Sequence, residues 1–490
     1  MRRRPKRRPI HVIRKPRRII VRPDYPWWKR PTYQTVIITD PLGRRRVVRR
    51  RRDDLPADRK PAAAGAPVRS PRARDVSRRW VRSQIANAQR HLTRLTPFRR
   101  QDYGVGLARP KEANIRAAND LLKRERDKQK RRVERLAQLG RRAEATSSTP
   151  ALSAFARMKD DVTRGTRSTE AIWHFYDDIF GQRRGALADQ LAAMDRIALD
   201  CYQTSFMGLG RARSLPTPPP MAYSQPAVGP ATYRRNVPVP RIGRQANPFP
   251  LVRLPFHRLM NPWSLGAVPH EIGHNLHADL NLWKITPGLI RARLADLGRS
   301  PTAQRTWSLW HKEIYADLIG VLLIGPYYVE SLFDVVGKSP TRVARFRSGA
   351  VHPTSYLRPF ISTALLRRIG FPTRADAYDE GWRRIYSPGV AARLPAHLRK
   401  GFRQTAAAIV DVLCFKPMDA YGGKALSQVV RFRPQDLITV REMAQRLASG
   451  TNPGIAPERF FIGAAREAMD QRLATPEQIT RNFYTALTGR

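Results

Sequence analysis

The sequence has few cysteines, few acidic residues and no long hydrophobic run. Its two cysteines, Cys201 and Cys414, lie far apart and outside any C-x-x-C pair, which excludes a disulfide framework and a cysteine-type zinc site. The longest apolar stretch, residues 318–324, is far shorter than the ~20 residues needed to span a bilayer. No apolar run of the secretory type follows the basic N-terminus. We therefore expect a soluble protein without a transmembrane segment, either cytoplasmic or associated with a particle.

Positive charge is abundant and unevenly distributed. The chain has 91 Lys and Arg against 39 Asp and Glu, which gives a net charge of +52. Residues 1–150 hold 45 basic and 13 acidic side chains and so carry +32 of that total. Such a segment is typical of proteins that bind polyanions, such as nucleic acid, an acidic lipid surface or an acidic protein. The alternative is a generally arginine-rich proteome, in which the charge has no specific partner.

Residues 1–75 form a basic arm rich in Arg and Pro. Repeated prolines in residues 1–31 exclude a regular helix, and the composition favours disorder. We expect a hairpin near 33–50, because β-branched residues flank the turn sequence Asp40-Pro-Leu-Gly43. A basic helical region, residues 76–213, follows the arm, with helices expected at about 76–96, 111–145, 151–162 and 169–209.

A proline-rich segment, residues 214–255, separates these basic helices from the rest of the chain. Its eleven prolines in 42 residues exclude a helix or a central strand, so we expect a linker or a strap laid across a surface. Only residues 249–254 read as a strand. Residues 256–375 and a C-terminal region, 376–490, are predicted to be helical, which makes the fold class mainly α.

The stretch with the clearest chemistry is residues 268–279, V-P-H-E-I-G-H-N-L-H-A-D. It contains His270, Glu271 and His274 in the spacing H-E-x-x-H. On a helix, positions i and i+4 lie on one face, so the two imidazoles can bind one Zn²⁺. The glutamate between them can then act on a water at the metal. Gly273 within this helix requires a reason, such as close packing against a neighbour.

A second helix is predicted from Trp307 to the Gly325-Pro326 break, and it carries two carboxylates in an apolar run. Glu313 and Asp317 are one turn apart on one face. Buried carboxylates must be paired or bind a metal, because desolvating them alone costs several kcal/mol. Glu313 is therefore the natural third ligand. Asp317 is expected to accept a hydrogen bond from a ligand histidine.

H-E-x-x-H on one helix with E-x-x-x-D on the next resembles the gluzincins, the thermolysin-like zinc metallopeptidases. The resemblance covers about residues 255–371 and implies a zincin-like helical metallopeptidase core. It assigns His270, His274 and Glu313 as zinc ligands, Glu271 as general base, and Asp317 as the support of His270. Such enzymes hold their substrate at the edge of a small sheet, for which only the strand predicted at 249–254 is available here.

Two other histidines compete for a role at this site. His277 lies three residues after His274 and near the same face, so it is an alternative ligand or rim residue. The metzincin pattern H-E-x-x-H-x-x-G-x-x-H is not met, since position 277 is His and Leu280 stands where the last His would be. His311 precedes Glu313 by two residues, and we expect it to be a satisfied surface histidine.

A hydrolytic site also needs a donor that stabilises the oxyanion. His352, Tyr356 and Arg358 fall within seven residues and are donors of the right type. The alternative is that they form an ordinary capped, basic helix start. Tyr327 and Tyr328 are further candidates, although both are more typical of a core.

The sequence thus predicts a zinc-dependent peptidase that hydrolyses peptide bonds of a protein or peptide substrate. Zinc would polarise the carbonyl and acidify a water, while Glu271 would move the proton. The alternative is a basic nucleic-acid-binding or particle-associated protein, of a phage or injection type, with a structural zinc site. The two readings are compatible, since the arm at 1–150 could deliver a peptidase to an acidic partner.

Overall fold

The computed structural model of the chain describes residues 33–39, 45–51, 72–227 and 229–489, with backbone only for the first two ranges. Strands β1 (Tyr33–Thr39) and β2 (Arg45–Arg51) pair antiparallel, with Val36 opposite Val48. The predicted hairpin is therefore present. The predicted disorder of the remaining arm falls outside the described residues.

From Ala73 onward the chain forms a second compact unit, and the predicted boundaries at 213, 255 and 375 all fall inside it. It is mainly helical, as predicted. No helix in the described part of the chain combines the length and apolarity needed to cross a membrane.

The second unit begins with four helices that follow the predicted pattern in part. They are α1 (Ala73–Arg94), α2 (Glu112–Thr146), α3 (Thr149–Gly181) and α4 (Ala188–Leu209). The single helix predicted at 169–209 is wrong, because the chain breaks after Gly181. At the break Arg183 is fully buried and pairs with Asp195 at 2.9 Å. Hydrophobic periodicity does not record such a break, since apolar residues recur on both sides of it.

The proline-rich segment folds into small sheets rather than a linker. Strands β3 (Met221–Ser224), β4 (Ala231–Tyr233), β5 (Pro238–Val239), β6 (Gln245–Ala246) and β7 (Leu251–Leu254) follow in order. One sheet has the order β3-β7-β4, with β7 parallel to β3 and antiparallel to β4, and β5 pairs with β6. The exclusion of a central strand is thus wrong. Pro250 and Pro255 flank β7 but leave all its amide groups free for pairing.

The sheet leads into the helices that surround the metal motif. They are α5 (Phe256–Leu259), α6 (Ala267–Asp279), α7 (Thr286–Asp296), α8 (Pro301–Leu309), α9 (His311–Ile324), α10 (Pro326–Val336), α11 (Pro340–Val343) and α12 (Arg358–Arg368). The helix predicted from Trp307 is two helices, α8 and α9, which meet at Trp310. Almost every residue of α9 is buried, so this helix forms the centre of the core.

The C-terminal region packs around the same core. Its helices are α13 (Pro372–Ile385), α14 (Pro388–Ala392), α15 (Ala396–Arg399), α16 (Phe402–Val410), α17 (Leu426–Val429), α18 (Pro434–Ser449), α19 (Phe460–Asp470) and α20 (Pro476–Thr488). One continuous apolar cluster runs from α4 through α9 to α20. The core that holds the metal motif therefore includes the C-terminal residues.

Candidate metal site

Close packing of α6 against α9 brings the predicted ligands together. A Cβ atom on Gly273 of α6 would lie 2.8 Å from the Cα atom of Ala316 on α9. The absence of a side chain at Gly273 therefore lets the two helix backbones approach closely. The sequence predicted such close packing at this position. His270, about one turn before this contact, and His274, directly after it, both face Glu313 across the gap.

The side chains of His270, His274 and Glu313 could hold a metal ion. Their nearest ligand atoms all lie within 4.8 Å of one another. The Nε2 atom of His270 is 3.6 Å from Oε2 of Glu313, and Nε2 of His274 is 3.3 Å from Oε1. Ligands about 2.1 Å from a tetrahedral ion are separated by roughly 3.4 Å. The two histidine–carboxylate separations therefore agree with tetrahedral coordination of a small ion.

A buried network behind the cluster orients His270. Its Nδ1 atom lies 3.0 Å from Oδ1 of Asp317 and 3.1 Å from the Tyr328 hydroxyl, which itself donates to Asp317 at 2.6 Å. Arg358 donates to both oxygens of Asp317, at 2.8 and 2.6 Å. Because Nδ1 faces an acceptor, it carries a proton, and Nε2 is the ring atom that faces the cluster. The absence of a side chain at Gly320 makes room for the Tyr328 ring.

The ionisation of the cluster is set by burial and by the opposite charges within it. Burial would lower the pKa of His270, but hydrogen bonds to Asp317 and Glu313 raise that pKa to about 9. Burial would raise the pKa of Glu313, yet the two histidines hold it well below its usual value. Likewise Arg358 and His270 overcome burial and hold the pKa of Asp317 at about 2. Without metal, the carboxylates are therefore charged and paired with an imidazolium.

Glu271 stands apart from this network. Only 5% of its surface is exposed, its side chain lines the same cavity, and burial raises the pKa of its carboxyl group. Among the described residues no hydrogen-bond donor reaches that carboxyl group within bonding distance. This carboxylate is buried beside two histidines, its pKa is raised, and it accepts no hydrogen bond from the described residues. It is therefore suited to accept a proton from a reactant.

A cavity of about 660 Å³ opens over the cluster, a size typical of ligand sites. Residues of strand β4 line one wall, at the edge of the three-stranded sheet. Asn275 of α6 donates to the hydroxyl of Thr232 in β4 and to the backbone oxygen of Glu271, both at 2.8 Å. Helix α6 thus fixes the position of the sheet edge. The sequence did not predict strand β4.

The three predicted oxyanion donors have different positions. The Nε2 atom of His352 lies 3.4 Å from Oε1 of Glu313, and its side chain is 69% exposed. Arg358 lines the cavity but is committed to Asp317. Tyr356 does not line the cavity; its ring is buried against Phe360. Tyr328, a further donor candidate that is more typical of a core, is buried and lies within hydrogen-bonding distance of His270.

The two competing histidines form a separate group. The Thr286 hydroxyl donates to the backbone oxygen of Leu282 at 2.9 Å, and lies 3.1 Å from Nε2 of His277 and 2.7 Å from Nδ1 of His311. The expectation of a surface position for His311 is wrong, since only 8% of it is exposed. Burial lowers the pKa of His277 to about 2 and that of His311 to about 4, so both rings are neutral.

Comparison with known proteins identifies no relative. No family model matches the chain, and neither a curated protein nor a solved structure is significantly similar to it.

Proposed function

We propose that this protein is a zinc-dependent peptidase. The observation that carries the proposal is the placement of Glu271, a buried and unpartnered carboxylate, beside the His270, His274 and Glu313 cluster in one open cavity. A structural metal site is closed by protein ligands, whereas a catalytic site keeps a position open to substrate. The cavity over these three ligands supports the second arrangement.

The ligand set favours zinc over other common ions. Two imidazoles and one carboxylate are the donors of catalytic zinc sites, whereas Ca²⁺ and Mg²⁺ prefer oxygen alone. The ~3.4 Å separation of ligand atoms agrees with zinc distances. A zinc ion bound there would polarise a substrate carbonyl and acidify a water molecule. The carboxylate of Asp317 supports this role by fixing the tautomer of His270.

Glu271 is the proposed proton carrier. Water attacks the carbonyl carbon of the scissile peptide, and its proton passes to the Glu271 carboxylate. When the carbon–nitrogen bond breaks, the same carboxyl group returns that proton to the leaving amine. The raised pKa of Glu271 supports both transfers, since it brings the group closer to neutral pH. His352 lies beside Glu313 at the cavity and is the proposed donor to the oxyanion.

The free edge of the β3-β7-β4 sheet supports a peptide as substrate. Strand β4 pairs with β7 on one side and has no further strand partner within the described ranges. An extended peptide can add to such an edge through main-chain hydrogen bonds. Because β4 lines the cavity above the metal ligands, a peptide bound there would pass over the cluster. The strand predicted at 249–254 is the central strand β7, and the edge at the cavity is β4 instead.

A second candidate function is polyanion binding by the basic helices. The exposed positions of α2 are dominated by cations, namely Arg116, Lys123, Arg124, Lys128, Lys130, Arg131, Arg135, Arg141 and Arg142. Such a surface suits phosphate or carboxylate partners. This function is compatible with a peptidase, because the residues of the metal cluster lie on α6 and α9 and not on α2.

Two substitutions test the peptidase proposal. Glu271→Gln should retain zinc, as measured by plasma mass spectrometry, while hydrolysis of a casein-derived peptide mixture falls by about 10²–10⁴-fold. Glu313→Ala should lose both zinc and hydrolysis. A chelator should abolish wild-type hydrolysis, and added zinc should restore it. Equal, substoichiometric zinc in wild type and both variants would refute the proposal.

A further inference from the structure

Three cations at the cavity over the metal cluster have no acidic partner. Arg234, Arg291 and Lys312 all line this cavity. None forms an ion pair with an acidic side chain of residues 72–227 or 229–489. Among the described residues, the acidic side chains that line the cavity are Glu271 and Glu313, and both are assigned to the catalytic cluster.

Some other buried or half-buried cations of the protein pair with acidic side chains. Arg358, the fourth cation at the cavity, is neutralised by Asp317. The half-buried Arg459 pairs with Asp200 at 3.0 Å. Lys312 is also partly buried, and with Arg234 it lines the same cavity. A bound anion would supply the opposite charge that these two cations lack.

The positions of these cations relate them to a bound peptide. Arg234 directly follows strand β4, at which a peptide is proposed to add. Lys312 directly precedes the proposed ligand Glu313 on α9, and Arg291 lies on α7 and also lines the cavity. A substrate along β4 with its carbonyl group at the cluster would therefore carry neighbouring side chains past the cations.

We propose that this cavity selects peptides with a carboxylate close to the scissile bond, and that Arg234 and Lys312 bind this carboxylate while Arg291 adds to the positive potential. This inference rests on the proposed peptidase function and names its substrate class. The carboxylate belongs either to an Asp or Glu side chain or to the C-terminus of the substrate. Both sources present the same anion to the same cations.

Binding rather than turnover provides the test. Full-length Glu271→Gln protein with zinc is incubated at 0.15 M salt with three pools of random octapeptides, all acetylated at the N-terminus. One pool contains Glu and an amidated C-terminus, the second replaces Glu by Gln, and the third has Gln and a free C-terminal carboxylate. Retained peptides are counted by mass spectrometry. We expect at least about tenfold higher retention of one or both carboxylate pools over the neutral pool.

A charge-matched control separates the cavity from the overall positive charge. The added substitutions Arg234→Ala and Lys312→Ala should remove the preference. Arg293→Ala with Arg305→Ala, which also removes two charges but lies outside the cavity lining, should leave it unchanged. Retention of the free-carboxylate pool alone would support the site with the chain terminus as its ligand.

Equal retention of all three pools would overturn the inference, and so would a preference that survives loss of Arg234 and Lys312. Failure of the peptidase proposal has a different signature. In that case acidic peptides are still retained selectively by Glu271→Gln protein, but wild-type protein does not cleave them.

Discussion

Two groups of histidines lie next to each other in the same core and have opposite properties. The carboxylate cluster comprises His270, His274, Glu313 and Asp317; the hydroxyl cluster comprises His277, Thr286 and His311. Helices α6 and α9 contribute to both, within about two turns of each other. In the first cluster the pKa of His270 is raised to about 9, and in the second that of His277 is lowered to about 2.

The difference shows that the partner of a buried histidine determines the charge state of its ring. A carboxylate stabilises the imidazolium, or a metal in its place, and so offsets the free-energy cost of burying the charge. A hydroxyl group offers no such charge, so the ring stays neutral and serves as a packed, hydrogen-bonded core residue. His277 follows His274 by less than one helical turn, yet it lies outside the candidate ligand set.

Removal of the carboxylate ligand should produce the largest effect. Glu313→Ala leaves two histidines and no anionic ligand, so zinc affinity should fall by more than the 10–100-fold typical of losing an outer partner. The matched change in the hydroxyl cluster, His277→Gln, should leave zinc affinity unchanged. Competition with a fluorescent chelator measures both. Equal loss in the two variants would show that the clusters are not functionally distinct.

The two clusters should also respond in opposite directions to pH when zinc is removed. His277 and His311 have lowered pKa values in the folded protein, so their contribution is complete above about pH 6.5 and is lost as the pH falls toward 4 and below. As the pH falls from 6.5 to 5, protonation of each of these histidines in the unfolded state should lower the free energy of unfolding by about 2 kcal/mol. His270 has a raised pKa, so its contribution is complete below about pH 6.5 and is lost as the pH rises through 9.

Guanidinium unfolding in the presence of a chelator measures this pH dependence. His277→Gln should flatten the acidic side of the profile by about half and leave the alkaline side unchanged. An identical acidic slope in wild type and variant would show that His277 does not ionise on unfolding in this range.

Loss of the support behind the ligand should have a smaller effect. Asp317→Asn keeps the size of the side chain but removes the charge that Arg358, Tyr328 and His270 share. Zinc affinity should fall by about 10–100-fold, because the orientation and basicity of His270 depend on that carboxylate. Isothermal titration with zinc provides the affinity. An unchanged zinc affinity would show that Tyr328 alone fixes the orientation of His270.

The smallest effect is expected from Thr286→Val. The variant loses the hydroxyl group that contacts both His277 and His311, while the direct contact between the two rings at 3.2 Å can remain. The unfolding free energy should therefore fall by about 1–2 kcal/mol. Zinc content should remain at the wild-type level. A loss of zinc in this variant would mean that the hydroxyl cluster supports the metal site, and the distinction between the clusters would fail.

Local sequence determined a large part of this arrangement. The spacing of His270, Glu271 and His274 places two imidazoles on one helix face, because an α-helix repeats every 3.6 residues. The same rule relates Glu313 to Asp317, and the apolar residues around them predicted their burial. β-Branched residues on both sides of a turn likewise predicted the pairing of β1 with β2. Each of these is a short-range pattern.

Tertiary structure alone decided which distant residues complete the site. Tyr328 reaches His270 because Gly320 leaves room for its ring, and β4 reaches the cavity through Thr232 and Asn275. His311 is buried because the chain breaks at Trp310 and turns it toward Thr286. These contacts depend on side-chain volume and hydrogen bonds between segments far apart in sequence. Periodicity reports the face of a helix that is buried, but it carries no information about the partner that covers it.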